Sequence, residues 1–166
     1  MRILSTAESD ICSRIMMKTI NIENRKASFN YFISGTYEAG IILTGTEIKS
    51  VREGKANLSD AWCYIKDGSV FIKNMHISEY AAGSYNNQIP KRERKLLLNK
   101  SEITRISSKL REKGTTIIPL RLYISDRGFA KIEIGIAKGK KMFDKRDSLK
   151  EAEAKREVSR ATKKYS

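Results

Sequence analysis

Residues 115–137 read TTIIPLRLYISDRGFAKIEIGIA, and this stretch decides the fold. Residues 115–124 are rich in branched and aromatic side chains, 126–128 supply a turn, and 129–137 alternate apolar with other residues. Pro119 has no N–H to donate to a neighbouring strand, so we expect an edge or a bulge at this position. The stretch therefore predicts a long antiparallel hairpin.

Two other segments also predict strands. Residues 29–44 (FNYFISGTYEAGIILT) favour one long strand, with bends at Gly35 and Gly40. Residues 61–65 and 70–72 flank the dipeptide Asp67-Gly68, which is typical of a tight hairpin. Together with the first hairpin, these segments indicate about five or six antiparallel strands.

Helical signals are fewer. Residues 99–113 predict the principal helix, because Asn99 and Glu102 have capping-box spacing and apolar residues recur at a helical period. Residues 46–51 predict one short helical turn, and residues 81–94 predict a loop. The sum is a mainly β fold, for which we expect a small closed antiparallel barrel of the OB type.

Positive charge is concentrated in two segments. The chain of 166 residues has a net charge of +14, and residues 91–114 and 138–166 carry +6 each. This clustering is the electrostatic pattern of nucleic-acid binding, with a solvated tail that aids solubility as the alternative. Residues 138–166 also hold opposite charges at helical spacing, so we expect a tail that is disordered alone and helical on a polyanion.

Enzyme signatures are mostly absent from the sequence. His76 is the single histidine, and the two cysteines form no CxxC motif, which favours a reducing cytoplasm and a non-enzyme without cofactors. No apolar run has the length of a membrane span. A nuclease using Asp60 and Asp67 remains an open alternative.

The basic cluster KRERK at 91–95 precedes three leucines. Its cations could neutralise phosphates while the leucines anchor the segment, and an ordinary basic loop is the alternative. We therefore take Arg92, Arg94 and Lys95 as candidate RNA contacts.

Several motifs carry a resemblance to a known family. They are NRKA (24–27), YEAG (37–40), GTEIKS (45–50), GKAN (54–57), RKLLLN (94–99), AKGKK (137–141) and DKR (144–146). In these motifs the chain resembles the small protein B family, the tmRNA-binding proteins of bacterial trans-translation, from about residue 18 to about residue 160. Residues 1–17 fall outside the resemblance, and with Met16 and Met17 next to it, a later start is a hypothesis.

The resemblance implies an OB-type barrel over residues 18–137 and a basic tail over 138–166. It implies an adaptor that binds the tRNA-like part of tmRNA and enters stalled ribosomes with elongation factor Tu and GTP. Alanyl-tRNA synthetase would be an indirect partner through tmRNA. We expect a cytoplasmic monomer that binds no membrane. A structural ribosomal or rRNA-binding protein with a basic tail is the alternative.

The resemblance also implies roles for individual residues. Family RNA-binding positions fall on Asn24, Glu38, Leu97, Asn99 and Lys131. The segment that acts in the ribosomal decoding centre and the mRNA channel falls on Lys138, Lys140, Lys141, Phe143, Asp144, Lys145 and Arg146. Phe143 stands where the family often has histidine, and we expect it to stack on a base of 16S rRNA.

Overall fold

The computed structural model describes residues 20–81, 83 and 87–141. This part of the chain contains nine strands and three helices. In chain order they are β1 (Asn21–Glu23), α1 (Arg25–Asn30), β2 (Tyr31–Ile41), α2 (Gly45–Arg52), β3 (Ala56–Asn57), β4 (Trp62–Lys66), β5 (Ser69–Lys73), β6 (His76–Ile77), β7 (Arg94–Leu97), α3 (Lys100–Leu110), β8 (Thr115–Ile124) and β9 (Ala130–Gly139).

Six of the strands pair in a closed ring. The main sheet has the order β1-β8-β4-β5-β7-β2-β9, and β8 also pairs with β9, which closes a ring from β8 to β9 and leaves β1 outside it, paired with β8. The pairings in this ring are antiparallel, and β3 and β6 pair separately. The predicted mainly β class is confirmed. The strand β5 lies opposite β9, because three pairings separate them in either direction around the ring.

The two predicted hairpins are present. β8 and β9 pair along most of their length, and their register shifts between Pro119 and Arg121, which confirms the expected bulge. β4 and β5 are joined by Asp67 and Gly68, with φ of 50° and 67°. Two successive positive φ values are the geometry that favours Asp-Gly in a two-residue hairpin loop.

The core fills the inside of the ring. Alternate residues of the paired strands point inward, and the side chains of Ile117, Leu122, Ile132, Ile134 and Ile136 are almost fully buried. Each such side chain contributes roughly 1.5–3 kcal/mol by leaving water. Cys63 is also buried, and burial raises the pKa of its thiol, as expected for a small apolar core residue.

Some elements differ from the sequence-based expectation. The predicted turn at 46–51 is the longer helix α2, and the predicted helix 99–113 is shorter, since α3 ends at Leu110. The six-residue helix α1 was not predicted. Strand β7 begins at Arg94, the last residue of the expected loop 81–94. The sequence did not predict this strand, because Arg94 takes an inward position that sequence patterning assigns to apolar residues.

The described residues do not include 1–17 or the tail beyond Lys141, and four of the candidate site residues lie in that tail. These candidates are Phe143, Asp144, Lys145 and Arg146. In the part of the chain that the structure describes, no helix is long and apolar enough to cross a membrane.

Candidate nucleic-acid interface

Three neighbouring strands bring Lys131 and Leu97 to one row. Gly40 of β2 pairs with Lys131 of β9 on one side and with Leu97 of β7 on the other. Leu97 is an exposed large apolar side chain, at 53% of its full accessibility. A Cβ at position 40 would lie 3.4 Å from the Leu97 Cβ, so glycine allows the Leu97 side chain to lie close to the β2 backbone. The row thus presents a cation and an apolar group on either side of bare backbone.

Glu38 lies two residues before Gly40 and is exposed on the same strand. Lys131 Nζ donates a hydrogen bond to Glu38 Oε1, and the Tyr123 hydroxyl donates to Glu38 Oε2. The hydrogen bonds from Lys131 and Tyr123 lower the pKa of Glu38. The carboxylate is therefore ionised at neutral pH, while half of its side chain remains accessible.

Tyr123 and Arg121 extend this cluster along β8. Burial and the hydrogen bond to Glu38 raise the pKa of Tyr123 to about 12, so its hydroxyl remains a donor at neutral pH. The Arg121 guanidinium lies 5.0 Å from the centre of the Tyr123 ring and donates to Glu133 Oε2 at 2.5 Å. Sequence reasoning missed both residues. The hairpin register could have found them, since Tyr123 pairs with Lys131 and Arg121 with Glu133.

Asn99, two residues after Leu97, is the N-cap residue of α3. It is exposed, and with Glu102 it forms the predicted capping box, in which the Asn99 N–H donates to Glu102 Oε2 at 2.9 Å. The reciprocal bonds satisfy N–H groups that the first helical turn leaves without partners. The structure therefore places Asn99 and Leu97 at the junction of β7 and α3. Together, Glu38, Leu97, Asn99, Tyr123 and Lys131 form a surface that we call the Glu38 surface.

Asn24 occupies an interior position instead. Its side chain is buried, and its Nδ2 donates to the backbone carbonyls of Leu58 at 3.2 Å and Pro119 at 3.0 Å. These bonds tie the start of α1 to β8 and to the segment before β4. This position differs from the surface RNA contact expected from the sequence.

Arg94 also lies inside the protein. It is 1% exposed and pairs with Glu47 at 2.8 Å, and its guanidinium donates to the carbonyls of Met75, Pro90 and Arg92. A buried guanidinium with these partners does not reach an external phosphate. Arg94 is therefore a structural cation rather than a candidate phosphate contact.

Arg92 shares the same carboxylate. Its Nε and Nη2 donate to Glu47 Oε1 at 2.8 Å and Oε2 at 2.6 Å, with about a quarter of its side chain exposed. Burial would raise the pKa of Glu47, but the hydrogen bonds from Arg92 and the Thr44 N–H, with the Arg94 charge, lower it. The bidentate face of Arg92 thus points to Glu47 in this structure, and its role as an RNA contact stays a prediction.

The remaining described cations are exposed or partly exposed. Lys95 points outward from β7, and Lys138, the second-last residue of β9, is exposed. Lys140 donates to the Ser28 carbonyl at 2.9 Å, with its ammonium 4.9 Å from the centre of the Phe32 ring. Lys141 is exposed. Lys138, Lys140 and Lys141 mark the point where the chain leaves the ring of strands.

The described residues contain no group of three or more His, Cys, Asp or Glu residues suited to a metal ion.

Comparisons with known proteins agree with one another. The SsrA-binding protein of Phocaeicola vulgatus is 54% identical over 144 residues, covering 87% of this chain and 96% of that protein. The SsrA-binding protein of Bacteroides thetaiotaomicron is 50% identical over 145 residues, covering 87% of this chain and 97% of that protein.

A solved structure gives the same result. A chain in the structure described as "tmRNA-SmpB: a journey to the center of the bacterial ribosome" superposes with a TM-score of 0.64 at 46% identity, covering 74% of this chain and 86% of that one. The sequence model of the SmpB protein family matches residues 21–164. The chain therefore belongs to the SmpB protein family.

Proposed function

We propose that this chain is an RNA-binding adaptor, which binds the tRNA-like part of tmRNA and carries it to stalled ribosomes for trans-translation. Its relatives are SsrA-binding proteins, and its structural neighbour is a chain of a tmRNA–SmpB structure. The observation that carries the proposal is the ionised, exposed Glu38 held between Lys131 and Tyr123.

The Glu38 surface is the proposed contact with tmRNA. Base amino groups and the 2′-OH donate hydrogen bonds to a carboxylate, whereas a backbone phosphate has no hydrogen to donate. Lys131 offers a cation to the adjacent phosphate, and Leu97 offers an exposed apolar group to a sugar or base. Because Lys131 and Tyr123 already orient the carboxylate, little side-chain entropy remains to be lost on binding.

The ring of six strands is, in this proposal, an OB-type barrel spanning residues 18–137. Its closure through the β4–β8 and β8–β9 pairings gives each of these six strands a neighbour on both sides, which is the feature that barrels share. Residues 1–17 would be an extension outside this unit. In this proposal, tmRNA binds to the outer surface of the barrel, along strands β2, β7, β8 and β9.

The tail from residue 138 has a separate role in the proposal. Lys138, Lys140 and Lys141 stand where the chain leaves β9, so the basic segment after them can extend away from the Glu38 surface. We place this segment in the decoding centre and the empty mRNA channel. There, Phe143 stacks on a base of 16S rRNA, and Asp144, Lys145 and Arg146 contact RNA nearby.

The other partners follow from the tmRNA that is carried. Alanyl-tRNA synthetase and elongation factor Tu with GTP act on the tRNA-like end of tmRNA, so this chain meets them through that RNA. The protein works as a cytoplasmic monomer and catalyses no reaction itself.

Glu38→Gln tests the proposal, because it keeps the shape of the side chain and removes its charge. Loss of a hydrogen bond to a charged group costs roughly 1.5–3 kcal/mol, so we expect tmRNA affinity to fall by about 10- to 100-fold. The matched control is Glu53→Gln, an exposed carboxylate beyond α2 that pairs with Lys55. Equal tmRNA affinity of the wild type and Glu38→Gln in a gel-shift titration would contradict the proposal.

A further inference from the structure

The outer side of β4 and β5 carries three aromatic rings in contact. The ring centres of Trp62 and Tyr64 are 5.4 Å apart, and those of Tyr64 and Phe71 are 5.8 Å apart and nearly parallel at 25°. Trp62 is 41% exposed, and the other two are partly exposed. Tyr64 and Phe71 lie directly opposite each other, so this pair also stabilises the hairpin. Trp62 lies opposite a lysine, so pairing of rings across the hairpin does not account for it.

Lysines alternate with these rings. Lys73 pairs with Trp62 across β4 and β5, and Lys95 pairs with Phe71 across β5 and β7. Lys66 ends β4 on the same face, two residues after Tyr64, and all three lysines are exposed. We call these six residues the aromatic face: Trp62, Tyr64, Lys66, Phe71, Lys73 and Lys95.

Glu93 is held at the margin of this face. It accepts from the Tyr64 hydroxyl at 2.8 Å and pairs with Lys73 at 3.1 Å. The Tyr64 hydrogen bond, followed by that from Lys73, lowers the pKa of Glu93. One carboxylate against three lysines leaves the aromatic face positively charged.

This combination favours one class of partner. An acidic peptide would be attracted by the lysines, but it would not need three adjoining rings. An apolar protein surface would use the rings, but it would leave three ammonium groups desolvated. Unpaired nucleotides use both features, since bases stack on aromatic rings and phosphates pair with lysines.

We propose that the aromatic face is a second RNA-binding surface, which stacks unpaired nucleotides on Trp62, Tyr64 and Phe71 while the three lysines contact their phosphates. This second surface goes beyond the proposed function, because it lies on β5 and its neighbours, and β5 is on the opposite side of the ring from β9, which carries Lys131. The two surfaces adjoin at β7, where Lys95 and Leu97 both point outward. The ring can therefore hold two RNA segments at once.

Trp62 makes the test direct, because it is the single tryptophan of the chain. The probe is a ten-nucleotide oligouridylate, which is unpaired and stacks weakly on itself, added to the full chain at low salt. Stacking on the indole is expected to quench Trp62 emission to saturation. A blunt RNA duplex of ten base pairs is expected to leave the emission unchanged, because its bases are already stacked.

Two variants locate the binding. Phe71→Leu keeps an apolar side chain in the hairpin but removes the ring, so the oligouridylate affinity should fall by about 5-fold or more. Lys73→Gln should reduce the slope of log affinity against log salt by about 0.7, the value for one phosphate on a single strand. Both variants should unfold at temperatures within a few degrees of the wild type.

Glu38→Gln and Lys131→Ala are the matched controls on the Glu38 surface. They should leave the quenching by oligouridylate unchanged, so a failure of the tmRNA proposal would not mimic a failure of this one. Unchanged Trp62 emission on saturating addition of oligouridylate would overturn the inference. So would equal quenching by the duplex, or wild-type affinity in Phe71→Leu.

Discussion

Replacing Arg94 by methionine should destabilise the protein strongly without weakening its hold on RNA. Arg94 is 1% exposed, and Glu47, its partner at 2.8 Å, has a side chain that is 5% exposed. Removing one partner of a buried ion pair costs roughly 3–5 kcal/mol. We expect the lower end of this range, about 3 kcal/mol, because Arg92 still donates to Glu47 in the variant.

The assay is urea unfolding of the wild type and five variants, including Glu47→Gln alone. Arg92→Met should cost about 1.5–2 kcal/mol, because its hydrogen bonds to a charged group are partly exposed to solvent. Lys95→Met, one residue beyond Arg94 and facing outward, should stay within about 0.5 kcal/mol of the wild type. The double variant Glu47→Gln with Arg94→Met should cost about 1 kcal/mol less than the sum of its two single variants.

RNA binding separates this explanation from the phosphate-contact prediction. Arg94→Met should keep the salt dependence of RNA affinity, because a buried guanidinium neutralises no phosphate. A loss of stability below 1 kcal/mol, combined with a reduced salt slope, would refute the reasoning and return Arg94 to the RNA surface.

The carboxylates Glu47, Glu38 and Glu102 each give a further prediction. Stability supported by Glu47 is present above the ordinary carboxyl pKa of about 4.3 and is lost as pH falls towards the lowered pKa in the folded state, so Glu47→Gln should show a shallower acid transition in circular dichroism. Glu38→Gln should lower the pKa of Tyr123 from about 12, because the carboxylate that accepts the Tyr123 hydrogen bond is gone. NMR titration of labelled tyrosine measures this pKa. Glu102→Ala should cost about 1 kcal/mol in thermal unfolding by removing the hydrogen bond from the Asn99 N–H to Glu102 in the α3 capping box, while tmRNA affinity stays at the wild-type value.

Local signals in the sequence predicted the parts of the fold that are locally determined. The two hairpins depend on loops of two and five residues, and the bulge near Pro119 follows from one missing N–H. The α3 capping box depends on residues three apart. Helix α1 has six residues and no side-chain cap, so it left no comparable signal.

The Glu38 surface shows the same limit. Glu38 and Lys131 are 93 residues apart in the chain, and no sequence window reports their contact. Motif resemblance supplied both residues, whereas Tyr123 and Arg121 required the register of β8 and β9. The basic cluster at 91–95 gave no sign that Arg92 and Arg94 pair with a carboxylate 45 and 47 residues away, because a cluster of cations has the same sequence whether its partners are phosphates or Glu47.

Strand β7 explains why the segment RKLLLN works as one unit. Its four residues alternate, with Arg94 and Leu96 buried and Lys95 and Leu97 exposed. A shift of one residue would expose Arg94 and bury Lys95, which would break the Glu47 pairs and remove Leu97 from its row with Gly40. The inward side chains of Arg94 and Leu96 therefore hold the register, and that register sets Lys95 on the aromatic face and Leu97 on the Glu38 surface. Methionine at position 94 keeps an inward-facing side chain there, so Arg94→Met should lose stability while both RNA surfaces keep their places.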